Sequence, residues 1–277
     1  MGESNTNPHF FHLKSSPKIM GILNLTPDSF FAGSRAADLA QAKSSIETMR
    51  AEGADIIDIG AESTQPGAAP ISVNEELSRL IPILEWLQHQ EIPYSIDTQK
   101  TDVMAAVLSY KPSMINDVNG FRAVGALEVV ADGPMDICIM HMQNNPENMQ
   151  ENPAYTDVVS EILTFFEARL KACDALGIDK HRIILDPGFG FGKTLQHNIK
   201  VLQSLQAFSA LGCRVLVGMS RKAMIGAILN KPVDERLYGS LTAHTVAFLQ
   251  GADIIRTHDV AATKDALKVL QALRQEI

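Results

Sequence analysis

Eight times along this chain a short apolar run is followed by a longer amphipathic segment, and that alternation limits the fold more than any other feature. The runs are Lys18–Leu25, Asp55–Gly60, Tyr94–Asp97, Met114–Val118, Asp136–His141, Arg182–Asp186, Arg214–Gly218 and Asp253–Arg256. Ile183-Ile184-Leu185 and Val215-Leu216-Val217 are apolar at every position. A strand with that pattern needs cover on both faces, as in a parallel sheet flanked by helices. Regular βα alternation therefore predicts an α/β fold. Eight units in 277 residues suit one closed barrel, which takes about 250 residues. We expect a single (β/α)8 TIM barrel over 18–277, with 1–17 as a flexible N-terminal extension. An open doubly wound sheet is the alternative.

The segments between the runs carry helical signals. Val158, Ile162, Phe165 and Phe166 share one helical face, as do Ala266, Leu270, Leu273 and Ile277. Ser72-Val73-Asn74-Glu75 fits a capping box. Gly53, Gly177, Gly212 and Gly251 each follow a helical segment, where a left-handed residue ends a helix.

All eight runs end in polar residues. The first ends at Asn24, with Thr26, Asp28 and Ser29 beyond it, and the second leads into Glu62, Ser63 and Thr64. Asp97, Asn116-Asp117, His141 with Gln143, and Asp186 close the next four. Ser220-Arg221-Lys222 and Arg256 with His258-Asp259 close the last two. One such ending is ordinary, but eight place a ring of acids, amides and bases at the C-terminal mouth, where barrel enzymes keep their active sites. Asp97, Asp186 and Asn116 can meet the N–H groups of a heterocycle edge. Lys222, Arg256, Arg221 and His258 suit an anionic substrate or leaving group. Asn24 and Thr64 are neutral oxygen donors compatible with a Mg²⁺ shared with phosphate oxygens. Asp117 and Asp259 read as structural acids, and His141 is open between a core histidine and a site residue. His244 reads as a packing residue.

Other features set bounds. A formal net charge of −8 excludes a general nucleic-acid or anionic-membrane surface. Cys138, Cys173 and Cys213 have no metal-ligand spacing and read as core residues in a reducing compartment. Without an apolar leader or a spanning window, the expected location is the cytoplasm. Asp186-Pro187-Gly188-Phe189-Gly190-Phe191-Gly192-Lys193 lacks the downstream glycine of a dinucleotide loop and the spacing of a P-loop.

The strand-end motifs resemble those of the dihydropteroate synthase family. They are Ile22-Leu23-Asn24-Leu25-Thr26-Pro27-Asp28-Ser29-Phe30, Glu62-Ser63-Thr64 with Pro66-Gly67, Ser95-Ile96-Asp97, Ile115-Asn116-Asp117, Met140-His141-Met142-Gln143, the Asp186 glycine stretch, Gly218-Met219-Ser220-Arg221-Lys222 and Ile255-Arg256-Thr257-His258-Asp259. The resemblance implies condensation of 6-hydroxymethyl-7,8-dihydropterin pyrophosphate with p-aminobenzoate, giving 7,8-dihydropteroate and pyrophosphate. It also implies that Asp97, Asn116, Asp186 and Lys222 hold the pterin, with Met140 beside it and Gly218 allowing close approach. Asn24, Arg256 and His258 would serve pyrophosphate, with Mg²⁺ at Asn24. Phe30, Thr64, Pro66, Phe191, Ser220 and Arg221 would line the p-aminobenzoate side. Asp97, Lys222, Arg256 and His258 would carry the catalysis, in a homodimer built on the late helices.

Two loops depart from the family pattern. Ala32 stands where the family has Asp, and Gln65 where it has Arg. A pterin-binding methyl-transfer module would share the barrel and the pterin acids but would not need the Ser220-Arg221-Lys222, Arg256 and His258 anion groups. An inactive barrel homologue is the third reading.

Overall fold

The structure is a computed structural model that describes residues 17–26, 35–65, 67–145 and 148–273. The described strands are β1 (Lys18–Asn24), β2 (Ile56–Gly60), β3 (Tyr94–Asp97), β4 (Met114–Asp117), β5 (Asp136–Met140), β6 (Ile183–Asp186), β7 (Arg214–Val217) and β8 (Ile254–Thr257). Each pairs in parallel with its sequence neighbours, and β8 returns to β1, closing the barrel. The expected runs and the observed strands agree to within one or two residues, and the open sheet is ruled out.

The described α-helices are α1 (Arg35–Ala51), α2 (Val73–Leu87), α3 (Thr101–Val107), α4 (Ala126–Ala131), α5 (Val158–Ala175), α6 (Leu195–Gln203), α7 (Leu205–Ser209), α8 (Ala223–Leu229), α9 (Leu237–Leu249) and α10 (Val260–Ala272). Side-chain oxygens start several of them by taking N–H groups that have no helical partner. Asp157 accepts from Val159 N and Ser160 N, each at 3.0 Å. Ser72 accepts from Glu75 N at 3.2 Å, as expected. The reciprocal capping box occurs instead at α6, between Thr194 and His197. Gly53, Gly177, Gly212 and Gly251 all take positive φ, 71° to 96°, after the helices that they end.

The stripe expected on the last helix is rotated. Val260, Thr263 and Leu267 are its buried residues, whereas Leu273 is 79% exposed. Ile277 lies outside the described residues. Leu270, only partly buried, sits at the border of the two stripes. The phase is set where β8 hands over to α10 at Asp259, because the first helical residue, Val260, points straight into the core.

Two acids at the starts of runs serve the opposite end of the barrel. Asp55 Oδ2 accepts from Ile19 N at 2.7 Å, and Asp253 Oδ2 from Val215 N at 2.8 Å. They satisfy strand N–H groups where the ladder begins, so the N-terminal face is given to stability.

Candidate active site

Side chains alternate across a strand, so residues two apart share a face. Met20, Ile56, Met114, Cys138, Ile184, Leu216 and Ile254 form one buried cluster from seven strands, an apolar plug inside the barrel. Counting two residues onward gives Ile22, Asp58, Asn116, Met140, Asp186, Gly218 and Arg256, and on β3 the step from Ser95 gives Asp97. Four of the polar strand ends, Asp97, Asn116, Asp186 and Arg256, thus face inward together above an apolar floor. Register agrees: Asn24 lies opposite Gly60, Gly60 opposite Asp97, Asp97 opposite Asn116, and Met140 opposite Asp186.

Arg256 is the hub of that layer. Its Nε donates to Asp58 Oδ2 at 2.6 Å and its Nη2 to Asp97 Oδ2 at 3.0 Å. Asn116 Nδ2 donates to the same Asp58 oxygen at 3.2 Å. Burial, and then the neighbouring Asp58 charge, raise the Asp97 pKa above the usual carboxylate range, with Arg256 opposing them. Among the described residues, Asp58 Oδ1 and Asn116 Oδ1 are buried acceptors without a partner. The sequence reading missed Asp58. Its signal was an acid inside a buried strand, two residues beyond Ile56.

Asp186 Oδ1 accepts from Gly188 N at 2.7 Å, and burial raises its pKa, with Lys222 opposing. Lys222 Nζ donates to Phe189 O and lies 4.4 Å from the Phe191 ring centroid. Burial of that ammonium pushes Lys222 down to about 8, against the pull of Asp186. Met140 packs with Val118, Met142, Met149 and Phe191. A Cβ at Gly218 would come no closer than 3.7 Å to Arg256, so protein packing alone does not require glycine there.

The rim carries the remaining groups. Ser220 Oγ accepts from His258 N at 3.2 Å and lies 3.1 Å from His258 Nδ1. Partial desolvation, followed by the Arg256 charge, pulls the His258 pKa below its usual range. Arg221 takes a left-handed conformation, φ 56°, and its guanidinium grips Asp259 through Nε at 3.0 Å and through Nη2. Asp259 is therefore a structural acid, held in an ion pair. Asp117 is also structural, accepting from Asn119 N at 2.7 Å and Phe121 N at 2.6 Å. Asn24 and Thr64, both partly buried, make no side-chain hydrogen bond to another described residue. Phe30, Ala32 and Pro66 lie outside the described residues.

Glu62 does not join the ring. It accepts from Ile71 N at 2.9 Å, Gln99 Nε2 at 3.0 Å and Lys100 Nζ at 2.6 Å, closing the loop that carries Thr64. Lys100 also meets the buried Glu76 at 2.7 Å. His141 is buried, and burial, then the Lys193 charge, hold its pKa far below the usual range. His244 is buried, and neither ring nitrogen has a hydrogen-bond partner among the described residues. The three cysteines are buried and free.

Comparison with known proteins points the same way. The pterin-binding enzyme family matches residues 20–258. A dihydropteroate synthase from Haemophilus influenzae is 46% identical over 259 residues, covering 93% of this chain and 94% of its own. The Xanthomonas albilineans dihydropteroate synthase structure with 4-aminobenzoic acid superposes with TM-score 0.89 at 43% identity, covering 95% of each chain. The same organism's enzyme in complex with 7,8-dihydropteroate gives TM-score 0.84 at 39% identity, again covering 95% of each. Identity at this level over nearly the full length of both chains means that the protein belongs to the dihydropteroate synthase family of pterin-binding enzymes.

Proposed function

We propose that the inward layer is the pterin pocket in which 6-hydroxymethyl-7,8-dihydropterin pyrophosphate reacts with p-aminobenzoate. The observation that carries this placement is the pair of unpaired buried acceptors, Asp58 Oδ1 and Asn116 Oδ1, above an apolar floor. Buried oxygens without donors are costly, and a ring rich in N–H groups supplies the donors. Asp58 and Asn116 offer those two oxygens to ring N–H groups, Asp97 and Asp186 take the rest of the ring edge, Lys222 donates to a ring acceptor, and Met140 covers a face. Gly218 leaves room for the ring.

The reaction needs no protein nucleophile. The bond between the pterin methylene and the pyrophosphate oxygen breaks, and its electron pair leaves with pyrophosphate. Arg256 and His258 neutralise the growing negative charge, the largest contribution expected in such a site. The carboxylates of Asp97 and Asp58 face the methylene cation. The arylamine lone pair then forms the C–N bond, and the resulting ammonium loses its proton to solvent. Thr64, Phe191, Ser220 and Arg221, with Phe30 and Pro66 from the loops, receive p-aminobenzoate; Arg221 binds the carboxylate by sharing its guanidinium with Asp259.

A magnesium ion fits this donor set. No group of three His, Cys, Asp or Glu side chains among the described residues could cage a metal. Mg²⁺ is commonly held by one or two protein oxygens together with substrate phosphates, and Asn24 offers such an oxygen at the rim. Bound there, the ion would add charge neutralisation at the pyrophosphate.

Ile228, Leu229, Val233, Tyr238, Val269 and Leu273 are exposed on or beside α8, α9 and α10, which supports a homodimer through the late helices. A sedimentation mass of twice the 30.2 kDa chain would bear this out, and the chain mass itself would oppose it. None of the helices, among the described residues, is long and apolar enough to cross a membrane. The domain reading remains one barrel over 18–277 after an extension, in a cytoplasmic enzyme.

A crystal soaked with 6-hydroxymethylpterin tests the placement. The ring is expected against Asp97, Asn116 and Asp186; density elsewhere would overturn the assignment.

A further inference from the structure

Beneath the mouth a glycine-rich loop is folded around a buried amine. Lys193 is 3% exposed. Its Nζ lies 2.9 Å from Gly188 O, 3.0 Å from Phe191 O and 3.0 Å from His141 Nδ1, with His141 O at 3.3 Å. Three close acceptors match the three protons of an ammonium. The match requires a neutral His141 with its own proton on Nε2, in keeping with the depressed His141 pKa.

Packing does not account for a lysine at this position. Burying an ammonium is costly unless it is paired, and a methionine of similar length would fill the space without that cost. Burial pushes Lys193 down to about 7, while the Asp186 charge pulls it back and the Lys222 charge adds to the fall. Arg122 also bears on His141, and the rings of Phe165 and Tyr155 stand 5.1 Å and 6.2 Å from that of His141.

The amine joins two loops whose backbones touch. A Cβ at Gly188 would stand 2.0 Å from His141 O, and one at Gly192 would stand 2.8 Å from Gln143 O. The same six-residue loop has a second amine on its other side. Phe189 O accepts from Lys222 Nζ, and the Phe191 ring lies beneath that ammonium at 4.4 Å. Lys193 therefore fixes Gly188 and Phe191, and Phe189 between them, together with the Phe191 ring itself, holds Lys222. The loop is also tied from outside, by Tyr155 to Gly192 O at 2.8 Å and by Gln150 to Gly190 O at 2.5 Å. Those ties reach neither Gly188 O nor Phe191 O.

We propose that Lys193 is a positioning residue for the reaction: its ammonium clamps the loop after β6 onto the end of β5, so that Phe189 O and the Phe191 ring hold Lys222 in place in the mouth. It never touches substrate. The inference rests on the reading of Lys222 as a pterin contact and of Phe191 as a p-aminobenzoate contact.

The test compares Lys193→Met, Lys222→Met and the double variant. Calorimetry with 6-hydroxymethylpterin gives Kd, steady-state rates give kcat and the KM for p-aminobenzoate, and a thermal melt reports folding. Lys193→Met should weaken pterin binding about tenfold and raise that KM several-fold, with a loss in kcat no greater than that of Lys222→Met. The double variant should bind pterin no worse than Lys222→Met, because one residue acts through the other. A folded Lys193→Met with a lower Tm but unchanged Kd and KM would overturn the proposal, and so would losses that simply multiply. If Lys222→Met itself leaves the pterin Kd unchanged, the reading of the site has failed, and the clamp has no object. Should Lys193→Met not fold, Lys193→Arg keeps the charge on a planar fork that cannot serve three converging acceptors. It should show the same rise in Kd and KM, and parental values would overturn the proposal.

Discussion

Asp58 Oδ2 accepts the Nε–H of Arg256 at 2.6 Å, joining β2 to β8 inside the barrel. The same oxygen accepts from Asn116, and Asp97 accepts from the far end of the guanidinium. Two carboxylates thus share one cation, and both bonds of Asp58 use a single oxygen. Asp58→Asn can keep that oxygen in place while losing the charge. Asp97 would then lose the second cause of its raised pKa, after burial, and would release its proton at lower pH. If turnover needs ionised Asp97, the acid limb of kcat/KM must move to lower pH in Asp58→Asn. A limb that stays in place, or moves up, contradicts the shared-cation account.

Asp58→Ala asks a different question. Removing one partner of a buried ion pair costs about 3–5 kcal/mol, because a charge is left with less compensation. Asp97 remains to Arg256, so the loss should fall at the lower end of that range. Chemical denaturation measures it, and a change below about 0.5 kcal/mol would mean that the pair contributes little to the fold.

Asp186→Asn should weaken pterin binding by about 1–3 kcal/mol. One carboxylate oxygen is already committed to Gly188 N. The amide must keep its oxygen there, so its NH₂ is turned toward ring N–H groups, donor against donor. Calorimetry with the free pterin checks this, and unchanged affinity would remove Asp186 from the pocket.

His258 stands at the rim, oriented by Ser220. His258→Ala should slow pyrophosphate release by roughly 10²–10³-fold, the loss expected for one preorganised donor at developing charge. A pterin without pyrophosphate should bind as before. Equal losses in both measurements would place His258 on the ring and not on the leaving group.

Gln65 and Ala32 replace a charged pair that the family resemblance would lead one to expect. Losing both partners together strands no charge. Gln65→Arg or Ala32→Asp alone should help little or do harm. The double restoration should exceed their sum by about 0.5–3 kcal/mol in kcat/KM for p-aminobenzoate. Strict additivity would show that the two positions never meet.

The barrel could be read in advance because its strands are buried on both faces, so hydrophobic runs mark them directly. The ring of polar ends was equally plain, since the chain changes character where each strand leaves the core. Asp58 escaped because attention to the residues beyond the end of a run overlooks an acid inside one. Stepping by two from Ile56 finds it, and the same step links Ile184 to Asp186 and Ile254 to Arg256. Lys193 was visible only as the lysine of a failed phosphate loop. Its role depends on His141, fifty-two residues away, and no local pattern reports that. The phase of α10 was misjudged because Leu273 and Val269 are apolar yet exposed, 79% and 59%, so composition alone could not tell a core face from a surface one.

The most direct test of the whole account is the initial rate of pyrophosphate release from purified protein given Mg²⁺, the pterin pyrophosphate and p-aminobenzoate. The account predicts release only when both organic substrates are present, at a rate equal to that of 7,8-dihydropteroate formation. No release with both, or release that is indifferent to the arylamine, would contradict it.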